Sequence, residues 1–238
     1  MSLYLIVAII LLSLGATATT LFIYQKVKDY STKAILLKTI ASFLFVVVGA
    51  YSFYAGGLHP LGIYIIIGLA LGMLGDVFLG FKHVYKEDSK LFTKAGFVCF
   101  SLGHIVYVSG MFGEFFHPDS SFLYILLPLV TALLLGLVLM VIEKPCKLNY
   151  GSMNKIIFIY GFLLFSTPCT ALSLTVLNNF AVVPLIMLTG AGFLFAVSDI
   201  LLCTTYFGEN RDTPLNNIVN SITYFVAQYT IAFSLFFI

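Results

Sequence analysis

Residues 68–86 read GLALGMLGDVFLGFKHVYK. This apolar run contains one carboxylate, Asp76, with glycines at 68, 72, 75 and 80 around it, before it gives way to Lys82 and Lys86. Gly68, Gly72, Asp76 and Gly80 recur every four residues, so on a helix they form one stripe that a neighbouring helix can approach closely. The stretch therefore predicts a membrane helix with a carboxylate on its packed face. Residues 190–207, GAGFLFAVSDILLCTTYF, repeat the pattern, with Gly192, Ala196, Asp199 and Cys203 on a similar small-residue face.

The remainder of the chain agrees with that class. Of 238 residues, 61% are hydrophobic and 9% charged, and the mean hydropathy is +1.06, far above the range of soluble domains. The expected fold is an all-α polytopic membrane bundle. A net charge of +2, with the basic residues in short clusters between apolar runs, excludes a nucleic-acid partner. At about 20 apolar residues per span, eight spans fall near 3–24, 34–54, 61–81, 95–113, 121–142, 155–177, 184–206 and 218–238. No connection is long or polar enough for a separate soluble domain, so residues 1–238 are expected to form a single transmembrane domain.

The loops alternate in charge. Lys26, Lys28 and Lys33 lie between the first two spans, Lys82, Lys86, Lys90 and Lys94 between the third and fourth, Lys144, Lys147 and Lys155 between the fifth and sixth, and Arg211 between the last two. The other three loops carry neither Lys nor Arg, so the positive-inside rule sets both termini on the non-cytoplasmic side. Residues 1–24 end their apolar run near ATA at 16–18, as a cleaved signal peptide would, but they lack a positive n-region and are read as a helix. Cys99, Cys146, Cys169 and Cys203 have no paired spacing that suggests a disulfide framework or a thiolate metal site.

Ionisable groups at membrane depth cost several kcal/mol by insertion scales and mark function by default. Here they are Lys38, Asp76, His104 and Asp199; Tyr160 and Gln228 join them as polar residues. Counted at 1.5 Å per residue from the expected cytoplasmic span ends, all six lie within about 6–15 Å of that side. This predicts one site opening toward the inner leaflet or cytoplasm. Ser101, His104 and Tyr107 share one face of the fourth span, and Asn217, Ser221, Tyr224 and Gln228 form a polar line on the eighth. Each feature also has a structural explanation. Small residues serve helix packing, a lone His, Tyr or Gln serves interhelical hydrogen bonding, and Lys38 could snorkel to the headgroups. The aspartates are harder to explain so: two acids and one base leave one carboxyl to hold a proton near neutral pH.

GLALGMLGDVFLG, FSLGHIVYVSGMF, GAGFLFAVSDILL and SITYFVAQYTIAFS, in that order and spacing, resemble the signature blocks of the YhhN-like lysoplasmalogenase family, from Lys38 to the C-terminus. The resemblance implies hydrolysis of the sn-1 vinyl ether bond of a lysophospholipid, the lysoplasmalogen, to a fatty aldehyde and glycerophosphoethanolamine or glycerophosphocholine. The site read from the residues suits that reaction: Asp76 and Asp199 are expected to be its catalytic pair, either one the acid, with His104 positioning water or tuning the acid, and Lys38, Tyr107, Tyr160, Tyr224 and Gln228 are expected to bind substrate. Lys38 would meet the lipid phosphate. No cofactor and no metal are expected, the partners are substrate and lipid bilayer, and a homodimer is left open. The expected location is a bacterial plasma membrane. Two other readings stand beside this one: a proton-coupled small-molecule or lipid transporter, since intramembrane Asp and His serve proton relays, and a metal-dependent hydrolase with Asp76, Asp199 and His104 as ligands.

Overall fold

The computed structural model describes residues 3–238. Eight helices follow one another: α1 (Leu3–Lys28), α2 (Thr32–Ala55), α3 (Leu61–Val84), α4 (Ser89–Phe115), α5 (Leu123–Val141), α6 (Asn154–Leu177), α7 (Val183–Phe207) and α8 (Pro214–Ser234). Each is long and apolar enough to cross a membrane. Among the described residues there is no strand, and one isolated antiparallel bridge joins Leu148 to Gly208. The all-α, eight-span architecture expected from hydropathy is the one observed.

Several helices run past the expected boundaries at the end where the lysines gather. α1 continues to Lys28, α4 begins at Ser89 and α8 at Pro214. An apolar-length ruler stops at the first charges, whereas backbone hydrogen bonding carries a helix on into the headgroup region. At α8 the start is capped: Thr213 Oγ1 accepts from the Asn216 N–H at 3.2 Å, and Pro214 occupies the first helical position. Lys38, Asp76, Tyr160 and Asp199 lie about 9–12 Å from the nearer helix end, but His104 and Gln228 lie about 21–22 Å from the starts of α4 and α8. The added turns lie outside the apolar spans, so these are lengths along the helices and leave the expected depths as they were; Gln228 is also about 9 Å from Ser234 at the other end of α8.

Short connections make most consecutive helices neighbours, with α3 on α4, α5 on α6 and α7 on α8 the most extensive pairs; among the described residues α5 packs on α6 and not on α4, while α4 packs on α6, and α8 on α1 and α2. In lipid there is no hydrophobic force between apolar helices, so close van der Waals packing must supply the association. The glycine stripe of α3 supplies it. A methyl group at Gly75 would come within 2.7 Å of the Phe100 ring, one at Gly72 within 2.8 Å of Gln228 Nε2, and one at Gly68 would strike the Tyr107 ring. The missing side chains of α3 therefore make room for large residues from α4 and α8. Their backbone neighbours on that stripe bring Asp76 into the interior, where it is 2% exposed.

Candidate active site

A cavity of about 450 Å³ lies at the end of the bundle that carries the α1–α2, α3–α4 and α7–α8 connections. Its walls are faces of helices read at one-turn intervals. α1 and the residues after it contribute Phe22, Lys26 and Tyr30; α3 contributes Asp76, Leu79, Lys82 and His83. α7 contributes Ser198, Asp199, Leu202 and Tyr206, α8 contributes Asn217, Asn220, Ser221 and Tyr224, and Lys38 and Phe100 come from α2 and α4. Both aspartates thus border one cavity, though they are more than 120 residues apart in sequence.

Their surroundings differ. Asp76 Oδ1 meets Lys38 Nζ at 2.8 Å, while Oδ2 accepts from Ser42 Oγ at 2.5 Å and from Tyr224 Oη at 2.7 Å. Gln228 Nε2 donates in turn to Tyr224 Oη at 3.0 Å, from the space that Gly72 leaves open. One ammonium and two hydroxyl donors are what an ionised carboxylate needs when it is removed from water. Asp199, 9% exposed, accepts from Tyr160 Oη, and among the described residues no cation pairs with it. Beside it α7 and α8 are joined by Asn220, whose Nδ2 donates to the Ser198 carbonyl at 2.8 Å. At the mouth Tyr30 stacks on His83 with ring centroids 3.9 Å apart, and burial pushes its hydroxyl above the ordinary tyrosine range, so it stays a donor.

Of the residues singled out from the sequence, Lys38, Asp76, Asp199 and Tyr224 line this cavity. Tyr160 and Gln228 stand one hydrogen bond behind them. His104 and Tyr107 do not line it. His104 Nδ1 shares a hydrogen bond with Thr167 Oγ1 at 2.9 Å, and its ring lies 5.1 Å from that of Phe195, which also packs against Tyr224 at 5.3 Å. His104 Nε2 and Tyr107 Oη are buried without a hydrogen-bond partner among the described residues. Sequence reasoning passed over Ser42, Lys26 and Lys82, having assigned both lysines to topology. Only His83 carries a spacing signal, since it follows Asp76 by seven residues and shares its face; Lys82, at six, lies well round the helix from it.

The three-ligand metal arrangement of Asp76, Asp199 and His104 is not formed, and among the described residues no three His, Cys, Asp or Glu side chains come together in a way that could hold a metal. A second cavity of about 560 Å³ runs along α1 and α8, lined chiefly by apolar groups such as Leu12, Ile23, Ile222 and Phe233. Phe225 belongs to the walls of both cavities. A polar chamber and an apolar groove thus adjoin at one aromatic side chain.

Residues 33–235 match the sequence model of the YhhN family. The chain belongs to the YhhN family. No curated protein and no solved structure matches it. The YhhN segment contains all four quoted sequence blocks and every cavity-lining residue except those of α1 and the turn that follows it, Phe22, Lys26, Val27 and Tyr30. Within the YhhN region, then, lie both aspartates, Lys38, Lys82 and the polar line of α8.

Proposed function

We propose that this YhhN-family membrane protein is a lysoplasmalogenase-like hydrolase, which cleaves the sn-1 vinyl ether bond of lysoplasmalogens to a fatty aldehyde and glycerophosphoethanolamine or glycerophosphocholine. The observation that carries the reading is a pair of buried carboxyl groups on one cavity with unlike partners, Asp76 against Lys38 and two hydroxyls, Asp199 against one tyrosine hydroxyl. A vinyl ether is hydrolysed by proton transfer to its β-carbon, which yields an oxocarbenium ion. Water adds to that ion, and the resulting hemiacetal collapses to aldehyde and alcohol. The reaction needs a proton donor and an anionic group that steadies the cation and orients water.

Two carboxyls in different environments supply both roles. Asp199, without a cation, is the proton donor, and the Tyr160 hydroxyl bond to Oδ2 leaves the other oxygen to carry the proton. Asp76, held by three donors, is the anionic group. The polar chamber beside an apolar groove supports an amphiphilic substrate, with the alkenyl chain along α1 and α8 and the glycerol in the chamber. By the distribution of lysines the chamber faces the cytoplasm.

The test is mass-spectrometric detection of fatty aldehyde from lysoplasmenylethanolamine and lysoplasmenylcholine, with purified protein in detergent and with EDTA in a parallel sample. Release that persists in EDTA and disappears in Asp199→Asn supports the reading. Well-folded protein that yields no aldehyde from either lipid overturns it and directs attention to flux assays for a transporter.

A further inference from the structure

Three lysines line the chamber, but only one has a carboxylate. Lys38 is paired with Asp76 at 2.8 Å. Lys26 and Lys82 are half-buried in the walls, and among the described residues neither forms an ion pair. Lys26 Nζ donates to the Ser221 hydroxyl at 3.1 Å and lies over the Phe22 ring, 5.8 Å from its centroid, and Lys82 Nζ rests on the face of the Tyr206 ring, 2.9 Å from its centroid. Among the described residues the other charged group lining the mouth is Asp212, which is exposed, accepts from Asn217 Nδ2 at 2.6 Å and is near enough to act on both lysines as a screened negative charge.

An ammonium drawn away from water needs a counter-charge, and a hydroxyl or an aromatic face offers only part of one. Two such ammoniums on one chamber make an anion site. We infer that Lys26 and Lys82, with Ser221 beside Lys26, form a phosphate subsite at the mouth of the chamber. The ligand class is a phosphate mono- or diester, and a lipid headgroup and free phosphate both carry that chemistry. On the reading proposed above, the subsite holds the lysophospholipid phosphate while the vinyl ether lies at the aspartates. The inference rests on that reading for the lipid source but not for the anion.

The site is tested by binding to purified protein in a nonionic detergent, using three probes: inorganic phosphate, lysophosphatidylethanolamine and the phosphate-free monoacylglycerol. Lys26→Gln and Lys82→Gln each take one charge-assisted hydrogen bond away from the phosphate, so the Kd for lysophosphatidylethanolamine is expected to rise about tenfold or more in either variant. Monoacylglycerol affinity stays unchanged, and Lys26→Arg and Lys82→Arg retain most of the binding. Lysine-dependent binding of inorganic phosphate but not of the lipid keeps the subsite and assigns it to a free anion. Equal affinity for lysophosphatidylethanolamine and monoacylglycerol, with phosphate ignored and the Gln variants folded, overturns it. Aldehyde release is measured on the same preparations. Turnover with a KM indifferent to both lysines defeats the subsite and leaves the hydrolase, whereas lysine-dependent binding without turnover does the reverse.

Discussion

At the scale of single residues, the two aspartates are predicted to fail differently. Asp199→Asn keeps the shape of the side chain and an oxygen for Tyr160, so the fold persists while kcat falls by about 10²–10⁴-fold, the usual worth of a positioned proton donor. Aldehyde release beside a detergent-phase melting curve checks this; an active Asn variant would remove Asp199 from the chemistry. The Lys38–Asp76 pair carries structural weight as well. Lys38→Met leaves the Asp76 carboxylate buried without its ammonium and is expected to cost about 3–5 kcal/mol. Lys38→Met combined with Asp76→Asn removes both charges and is expected to recover much of that loss in stability, without aldehyde release. Melting midpoints of both singles and the double variant give the coupling, and strictly additive losses would contradict a paired role.

At the scale of the element, the small residues of α3 position the site because they hold neighbours close. Gly68→Ala drives a methyl group into the Tyr107 ring and is expected to cost about 1–3 kcal/mol, with Gly68→Ala/Tyr107→Leu recovering part of it. Gly190 in α7 is the contrast, since nothing lies within 4 Å of the place a methyl group would take. Gly190→Ala is therefore expected to be neutral or to stabilise by up to about 1 kcal/mol through helix propensity. Thermal denaturation in one detergent compares the three variants. Similar losses at both glycines would mean that general helix effects, and not the close approach of α3 to α4, decide the outcome.

At the scale of the whole molecule, the lysine-bearing connections and the open end of the chamber coincide, through Tyr30, His83 and Asp212. By the positive-inside rule the chamber mouth is expected at the cytoplasmic face and the C-terminus across the membrane. Fusion of a periplasm-active phosphatase after Ile238 is expected to give active reporter, and fusion within the Tyr85–Asp88 connection to give inactive reporter. The opposite pattern would invert the topology and point the chamber outward.

The sequence by itself determined the class, the number of spans and the residues whose burial needs a reason. It could do so because bilayer thickness sets helix length, and because a charge in lipid is costly wherever the helices go. The four-residue stripe around Asp76 and the polar line of α8 were legible for the same kind of reason, since helical periodicity depends only on local spacing. Partnership was a matter for the tertiary structure alone. Lys38 could have met a headgroup or an acid; the packing of α2 on α3 gives it to Asp76. His104 shares its span with cavity-lining Phe100, yet the rings of Phe195 and Tyr224 stand on its cavity side, and its bond goes to Thr167 on α6. Lys26 and Lys82 look like ordinary topology signals in the sequence, and only the approach of α1 and α3 to α8 and α7 turns them into walls of one chamber. Such choices depend on which helix faces which, and pairings of that range have no trace in the local spacing of a single chain.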